Sequence, residues 1–287
     1  MLNNKDIFSK KKILIYGLGK TGLSTFKYLK KNNEIYLYDD KKISSKYSEL
    51  HKKIIRYKEI ISKNFDYIII SPGINIDKCQ LSNFLKKNLK KINTDLDIFF
   101  SMHGSNKNIT ITGTNGKSTT AQILYEVLRH QKIDVRLVGN IGNPILLEKK
   151  VTNKTIFIIE ASSYQLDYSK IFRSKIAAII NIYPDHLERH KTLKNYIKAK
   201  FKLINNQTRK DYAILNTNNF YIKQQLLNKK FLPKIIELKN KINPLILKKI
   251  DNQYFMTEGN KENLLFVIEI AKIIKIKKEN LFKSLNK

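Results

Sequence analysis

The chain has 287 residues, which at roughly 150 residues per domain points to about two domains. It is 42% hydrophobic and 10% aromatic, enough to build sizeable cores, and this excludes wholesale disorder and fibrous classes. The formal charge is +31, from 55 Lys+Arg against 24 Asp+Glu, but the chain is poor in arginine, the residue best suited to bidentate phosphate and base recognition, which argues against a nucleic-acid surface.

The arginines are Arg56, Arg129, Arg136, Arg173, Arg189 and Arg209. Lysine is abundant alongside Ile and Asn, all residues with A/T-rich codons, and the lysines are scattered without a basic tail. The charge therefore reads as compositional drift on a solvated surface, and no specific nucleic-acid partner is expected.

In chain order, the polar start is followed by an apolar run at 13–16, too short for a signal-peptide core. Further β-type runs fall at 35–38, 67–70, 109–112, 135–138, 155–159, 177–182 and 212–215, with helical patterns at 21–31, 117–131 and 193–203. Near-continuous apolar strands read as buried on both faces, hence parallel. Their alternation with helices predicts an α/β fold: a Rossmann-like N-terminal domain over 1–93, then a phosphate-loop ATPase domain with a mostly parallel sheet over 94–287. Beyond residue 218 the Lys/Ile/Leu-rich sequence shows one clear helical pattern around 264–274. The longest uncharged stretches, 137–147 and 212–222, fall short of the roughly 18 apolar residues of a spanning helix, so no membrane insertion is expected. The single cysteine, Cys79, cannot form an internal disulfide or a Cys-rich metal site, and a reducing cytoplasm is the expected location.

Four motifs carry chemistry. Gly17-Leu-Gly19-Lys-Thr-Gly22 follows the first strand and opens a helix, the arrangement in which glycines permit close backbone approach and a helix start faces phosphate oxygens. Asp39 stands at the end of the next strand, at the spacing of an acid that reads a ribose or base. Leu14 occupies the place of the first glycine of a Walker A loop, so Gly19-Lys20-Thr21 is not one. The second motif, Thr112-Gly113-Thr114-Asn115-Gly116-Lys117-Ser118-Thr119-Thr120, also lacks that glycine, with Ile111 there instead. This shortened loop keeps the remaining elements: backbone N–H groups for ATP phosphates, Lys117 for the terminal phosphates and the Ser118 hydroxyl for Mg²⁺. Third, Glu160 ends an apolar strand ahead of Ala-Ser162-Ser-Tyr-Gln165, where a Mg²⁺ ligand would sit or an ordinary strand-end acid would serve. Fourth, Asn181-Ile-Tyr-Pro184-Asp185-His186-Leu-Glu-Arg189-His190 follows another strand, and His186 reads as a metal ligand, an anion contact or a structural histidine.

Together with Ser71-Pro72-Gly73, Gly139-Asn140-Ile-Gly142 and Tyr196-Ile-Lys-Ala-Lys200, these pieces resemble the Mur ligases of peptidoglycan synthesis, in the family's order and near its spacing from about residue 12 to 263. The early Ser-Pro-Gly and the glycine turn are most similar to the branch that adds D-glutamate. The resemblance implies ATP-dependent amide ligation through an acyl phosphate, with UDP-N-acetylmuramoyl-L-alanine and D-glutamate as substrates and a monomeric enzyme. By position it implies Lys20, Thr21, Asp39, Ser71, Pro72 and Gly73 near the uridine diphosphate, and Asn140 and Ser162 near the muramoyl substrate. It implies Gly113, Thr114, Asn115, Gly116, Lys117, Ser118 and Thr119 around ATP, and Ser118, Glu160, His186 and a carbamate on Lys200 around Mg²⁺. Lys117, Glu160, His186 and Lys200 are the expected catalytic set. Asn260 and Asn263 match the family's adenine-reading segment, with Gly259 in place of its usual histidine. The resemblance also implies a third domain, of which no segment is found before Lys287, so the expectation is a chain that binds ligands without ligating them. Another Mur or folate-type ligase, and a non-catalytic nucleotide-binding module, stay open.

Overall fold

The computed structural model describes residues 7–41, 48–238 and 242–287. The chain divides into two compact units. The first takes the described residues up to Gly104 with Pro144–Lys149 and Tyr164–Phe172; the second takes Ser105–Asn143, Lys150–Ser163 and Arg173–Lys287.

The first unit runs β1 (Lys12–Tyr16), α1 (Lys20–Leu29), β2 (Glu34–Tyr38), α2 (Ser48–His51), α3 (Tyr57–Ser62), β3 (Tyr67–Ile70), α4 (Ser82–Lys87), β4 (Ile92–Asn93) and α5 (Asp95–His103). Its sheet has the order β2-β1-β3-β4, every named pair parallel. The β1 residues Ile13, Leu14, Ile15 and Tyr16 are all fully buried, the reason a run without alternation forms a central parallel strand. Leu14, Tyr16, Ile68 and Ile70 pack on one face with Ile60, Phe65, Leu81 and Leu85. Because β2 and β3 flank β1 on opposite sides, their carboxyl ends open a switch-point crevice.

Beyond residues 1–93, this unit takes in α5 and the segment Tyr164–Phe172. Asp97 ties them together. Its Oδ2 accepts from Thr94 N at 3.0 Å, while Oδ1 accepts from Ser169 Oγ at 2.8 Å, from Lys170 N and Ile171 N at 2.9 Å each, and from Phe172 N at 3.2 Å. Nearby Asp95 is buried, and burial pushes its carboxyl up to about 6, against the opposing donors Gln165 Nε2 and Leu96 N.

The second unit contains β5 (Lys107–Thr112), α6 (Lys117–His130), β6 (Val135–Gly139), β7 (Ile156–Glu160), the first residue of α7 (Ser163–Tyr168), β8 (Ile176–Ile179), α8 (Leu187–His190), α9 (Leu193–Asn205), β9 (Tyr212–Asn216), α10 (Phe220–Asn228), β10 (Lys234–Leu238), α11 (Pro244–Leu247), α12 (Glu258–Ile273) and α13 (Lys278–Leu285). Its six strands order β10-β9-β8-β5-β7-β6, again parallel throughout. Ile109, Ile111, Ile158, Ala178 and Ile214 form a core with Leu124, Val127 and Leu128 of α6 and Leu264, Val267 and Ala271 of α12. Burying each Ile, Leu or Val side chain there is worth about 1.5–3 kcal/mol. The chain is therefore α/β with mostly parallel sheets. Among the described residues, no helix is long and apolar enough to cross a membrane.

Candidate nucleotide and metal site

The second unit's site grows from β5, the strand flanked by β7 and β8. At its carboxyl end the chain turns through Gly113–Gly116 into α6. Gly116 is the N-cap of that helix with φ +79°, a left-handed conformation that suits glycine, and a Cβ there would collide with Asn263 Oδ1. The first-turn N–H groups of α6 have no intrahelical acceptor, so the helix start offers donors to an anion. Lys117 folds back over this opening and its Nζ donates to the Thr114 carbonyl at 2.7 Å. Burial lowers its pKa, while Glu160 and Asp185 oppose that shift.

Glu160, at the carboxyl end of β7, is 1% exposed. Its Oε2 accepts from Ser118 Oγ at 2.7 Å and its Oε1 from Asn140 Nδ2 at 2.8 Å. Three residues expected separately from sequence thus meet at one carboxylate. Among the described residues, no group of three or more His, Cys, Asp or Glu is gathered for a metal. The donor chemistry nevertheless fits Mg²⁺, a hard ion usually held by one or two carboxylates and phosphate oxygens rather than by an all-protein cage.

Lys200 reaches the loop from beneath. It projects from α9, is 2% exposed, and donates from Nζ to the Gly113 carbonyl at 2.7 Å. Its ammonium lies 4.7 Å from the centroid of the Tyr196 ring. Burial, then the Lys117 charge, bring its pKa down to about 7, with Asp185 opposing. His186 is the left-handed N-cap of α8. Its Nε2 lies 3.4 Å from Asp185 Oδ2 and its Nδ1 3.7 Å from Glu188 Oε1. Tyr196 links these parts: its hydroxyl lies 3.1 Å from Thr114 Oγ1 and its ring meets those of His186 and His190.

The other expected nucleotide residues take up specific places. Thr119 follows Ser118 in the first turn of α6. Asn263 is buried against the loop and accepts from Thr120 Oγ1 at 3.2 Å. The Asn260 side chain donates to the Tyr254 carbonyl at 2.7 Å. Not every loop amide is open to a ligand: Thr114 N and Asn115 N donate to Asn181 Oδ1 at 3.0 and 2.9 Å. Asn181, Tyr196 and the buried pair His190 Nε2 and Ser163 Oγ, 3.0 Å apart, were not singled out from sequence as site residues. Asn181 and His190 did stand in the Asp-His motif segment, and Tyr196 in the segment ending at Lys200. Ser162 lies between Ala161 and Ser163, half-buried.

In the first unit, the glycine turn after β1 meets the turn after β3. Ser71 Oγ donates to the Gly17 carbonyl at 2.6 Å. A Cβ on Gly22 would collide with that same carbonyl, so this close approach of α1 requires glycine. Asp39 accepts from Leu18 N at 2.6 Å on Oδ2 and from Lys41 N at 2.9 Å on Oδ1, binding the glycine turn to the end of β2. The α1 N-cap, Gly19, makes no side-chain cap, leaving the first turn around Lys20 and Thr21 open to an anion. Pro72 and Gly73 continue the Ser71 turn, closed by Ile74 N donating to the Ser71 carbonyl at 3.0 Å.

Residues 11–93 match the Mur ligase MurD-like N-terminal domain, and residues 111–277 match the Mur ligase middle domain. The UDP-N-acetylmuramoylalanine--D-glutamate ligase of Rickettsia bellii is 33% identical over 303 residues, covering 98% of this chain and 67% of that protein. The enzyme of that name from Caldicellulosiruptor bescii is 33% identical over 271 residues, covering 91% and 59% respectively, and that from Clostridioides difficile is 35% identical over 223 residues, covering 74% and 49%. The chain thus spans about two thirds of the Rickettsia relative and about half to three fifths of the other two. Among solved structures, the fold is similar to that of UDP-N-acetylmuramate:L-alanyl-gamma-D-glutamyl-meso-diaminopimelate ligase from Neisseria meningitides, with a TM-score of 0.62 at 16% identity over 97% of this chain and 98% of that one. It is also similar to UDP-N-acetylmuramate-alanine ligase from Thermotoga maritima, with a TM-score of 0.51 at 16% identity over 96% and 68%.

Proposed function

The chain belongs to the Mur ligase family, and on that premise we propose that it is an ATP-dependent ligase of peptidoglycan precursor synthesis joining D-glutamate to UDP-N-acetylmuramoyl-L-alanine. The observation that carries the proposal is the bond from Ser118 at the phosphate loop to Glu160 at the end of β7. It sets a hydroxyl and a carboxylate beside the start of α6, where triphosphate charge would gather. The relatives' shared name supplies the substrates.

In the proposed reaction, the alanyl carboxylate oxygen attacks the γ-phosphorus of ATP and ADP leaves. The amine nitrogen of D-glutamate then attacks the acyl carbon, inorganic phosphate departs, and the nitrogen loses a proton. Lys117 would leave the Thr114 carbonyl to neutralise charge on the transferring phosphoryl group. Gly113, Thr114, Asn115 and Gly116 would shape the loop, and the first turn of α6, with Thr119, would face the phosphates. Asn260 and Asn263 would lie toward the adenine side. Ser118, Glu160, His186 and a carbamate on Lys200 would hold Mg²⁺. When bound, the ion would neutralise phosphate charge. The buried Lys200 amine, brought down to about 7, is partly neutral at neutral pH and able to add CO₂. A nitrogen–carbon bond forms, a proton leaves, and a cation becomes an oxygen donor suited to a hard ion.

In the first unit, Lys20, Thr21, Asp39 and the Ser71-Pro72-Gly73 turn would hold the uridine diphosphate. Asn140 and Ser162 would contact the muramoyl substrate, Asn140 while oriented by Glu160. A cytoplasmic, monomeric enzyme suits these soluble substrates. The test is incubation with UDP-N-acetylmuramoyl-L-alanine, Mg·ATP and a mixture of amino acids, followed by mass spectrometry. The D-glutamyl product supports the proposal and overturns the expectation of a chain that binds without ligating; selective addition of a different amino acid contradicts the proposal.

A further inference from the structure

The loop is short by one glycine: Ile111 stands where a standard phosphate loop has Gly. A loop closed by fewer flexible residues must satisfy its inward backbone groups by other means. Asn181, two residues past β8 and 6% exposed, does so. Its Oδ1 accepts from Thr114 N at 3.0 Å and Asn115 N at 2.9 Å, and its Nδ2 donates to the Asn115 carbonyl at 3.2 Å. Its own carbonyl also accepts from Thr114 N at 3.0 Å. A Cβ on Gly113 would lie 3.2 Å from the Ile180 Cβ, so the loop and this strand end are packed closely where the clamp acts.

Resting on the reading of the loop as an ATP site, we propose that Asn181 is the positioning residue that fixes the phosphate loop in its nucleotide-binding shape before nucleotide arrives. The clamp divides the loop's donors. Thr114 N and Asn115 N point inward to the side chain, which leaves the helix-start N–H groups at Gly116, Lys117, Ser118 and Thr119 for phosphate oxygens. It also orients the carbonyl side: with the loop pinned, the Gly113 and Thr114 carbonyls face the ammonium groups of Lys200 and Lys117. Asn181 touches no phosphate in this arrangement. It acts by sparing the nucleotide the cost of ordering the loop.

Asn181→Ala removes all three side-chain bonds. Asn181→Asp keeps an acceptor for both N–H groups but loses the donor and sets a negative charge behind the phosphate site. The experiment combines amide hydrogen exchange with calorimetric titration of Mg·ATP and of UDP on the full chain. In Asn181→Ala, the Asn115 amide should exchange about tenfold faster or more, with Ile109 and Ile111 unchanged, while Thr114 N keeps the main-chain carbonyl of residue 181 as an acceptor. Mg·ATP affinity should fall about tenfold or more, while UDP affinity stays constant. Asn181→Asp should keep the amide protection and still weaken Mg·ATP through its charge. Exchange and Mg·ATP affinity within about twofold of the parent in Asn181→Ala overturn the proposal. If that variant does not fold, loss of Asn115 protection in Asn181→Asp overturns it instead. A parent chain that fails to bind Mg·ATP sinks the nucleotide reading, and the exchange rates still judge the clamp.

Discussion

The Ser118 hydroxyl donates to Glu160 Oε2 across 2.7 Å, joining residues 42 positions apart, one in the first turn of α6 after β5 and the other at the carboxyl end of β7. β5 and β7 pair in parallel with Ile111 opposite Glu160, so sheet register itself delivers the carboxylate to the loop. Glu160→Gln keeps an acceptor for Ser118 but removes the charge. ATP cleavage should fall on the order of 100-fold or more, with the melting temperature nearly unchanged. Activity near the parent level would remove Glu160 from the proposed machinery.

Lys117→Ala deletes the cation held over the loop. Loss of a charge-assisted bond costs roughly 1.5–3 kcal/mol, or about 10–150-fold in affinity. Calorimetric titration of Mg·ATP should show that loss, and unchanged affinity would contradict the loop assignment.

Lys200 provides a chemical readout apart from turnover. Equilibration with ¹³C-labelled CO₂ should give a carbamate resonance that is absent from Lys200→Ala. The signal should grow from pH 6 to pH 8 as the amine, near 7 in the folded chain, loses its proton. A signal equally strong in Lys200→Ala would assign carbamylation elsewhere.

Asp95 makes a prediction about stability. Its folded carboxyl is raised to about 6 from an ordinary 3.8, so between those values the folded state holds more protons than the unfolded one. The Asp95 contribution therefore becomes less favourable as pH rises from about 4 to 6 and then levels off, a change on the order of 3 kcal/mol at most. Asp95→Asn should raise the melting temperature at pH 7.5 and flatten that slope. Equal destabilisation at pH 4 and 7.5 would show that the charge is not the cause.

The buried strands were legible because both faces are covered. The run at 67–70 matches β3, and 13–16 differs from β1 only by Lys12. The predicted strand 177–182 is longer than β8 (Ile176–Ile179), since the chain past Ile179 turns into the loop clamp, where Ile180 N donates to the Thr112 carbonyl and the Asn181 carbonyl accepts from Thr114 N. β10 lacks a sequence signal because it is an edge strand with only Leu238 buried, and β4 because it has two residues. α5 reads Asp-Leu-Asp-Ile-Phe-Phe-Ser-Met-His, apolar on most sides, which conceals helical periodicity. Glu160 and Ser118 were visible as motif residues. Asn181 is not legible as a site residue in the sequence, because an asparagine after a strand has no signature until the neighbouring loop is placed against it.

In the proposed reaction, the second unit passes phosphoryl from ATP to a carboxylate of a UDP-linked substrate. The transfer can be followed with UDP-N-acetylmuramoyl-L-alanine carrying ¹⁸O in its alanyl carboxylate, incubated with the protein, Mg·ATP and D-glutamate, with the released phosphate analysed by mass spectrometry. An acyl phosphate leaves one ¹⁸O in the phosphate whether an amine or water attacks the acyl carbon, so substrate-dependent labelled phosphate is the predicted result. Unlabelled phosphate, or ATP cleavage indifferent to the UDP-linked substrate, would contradict the claim.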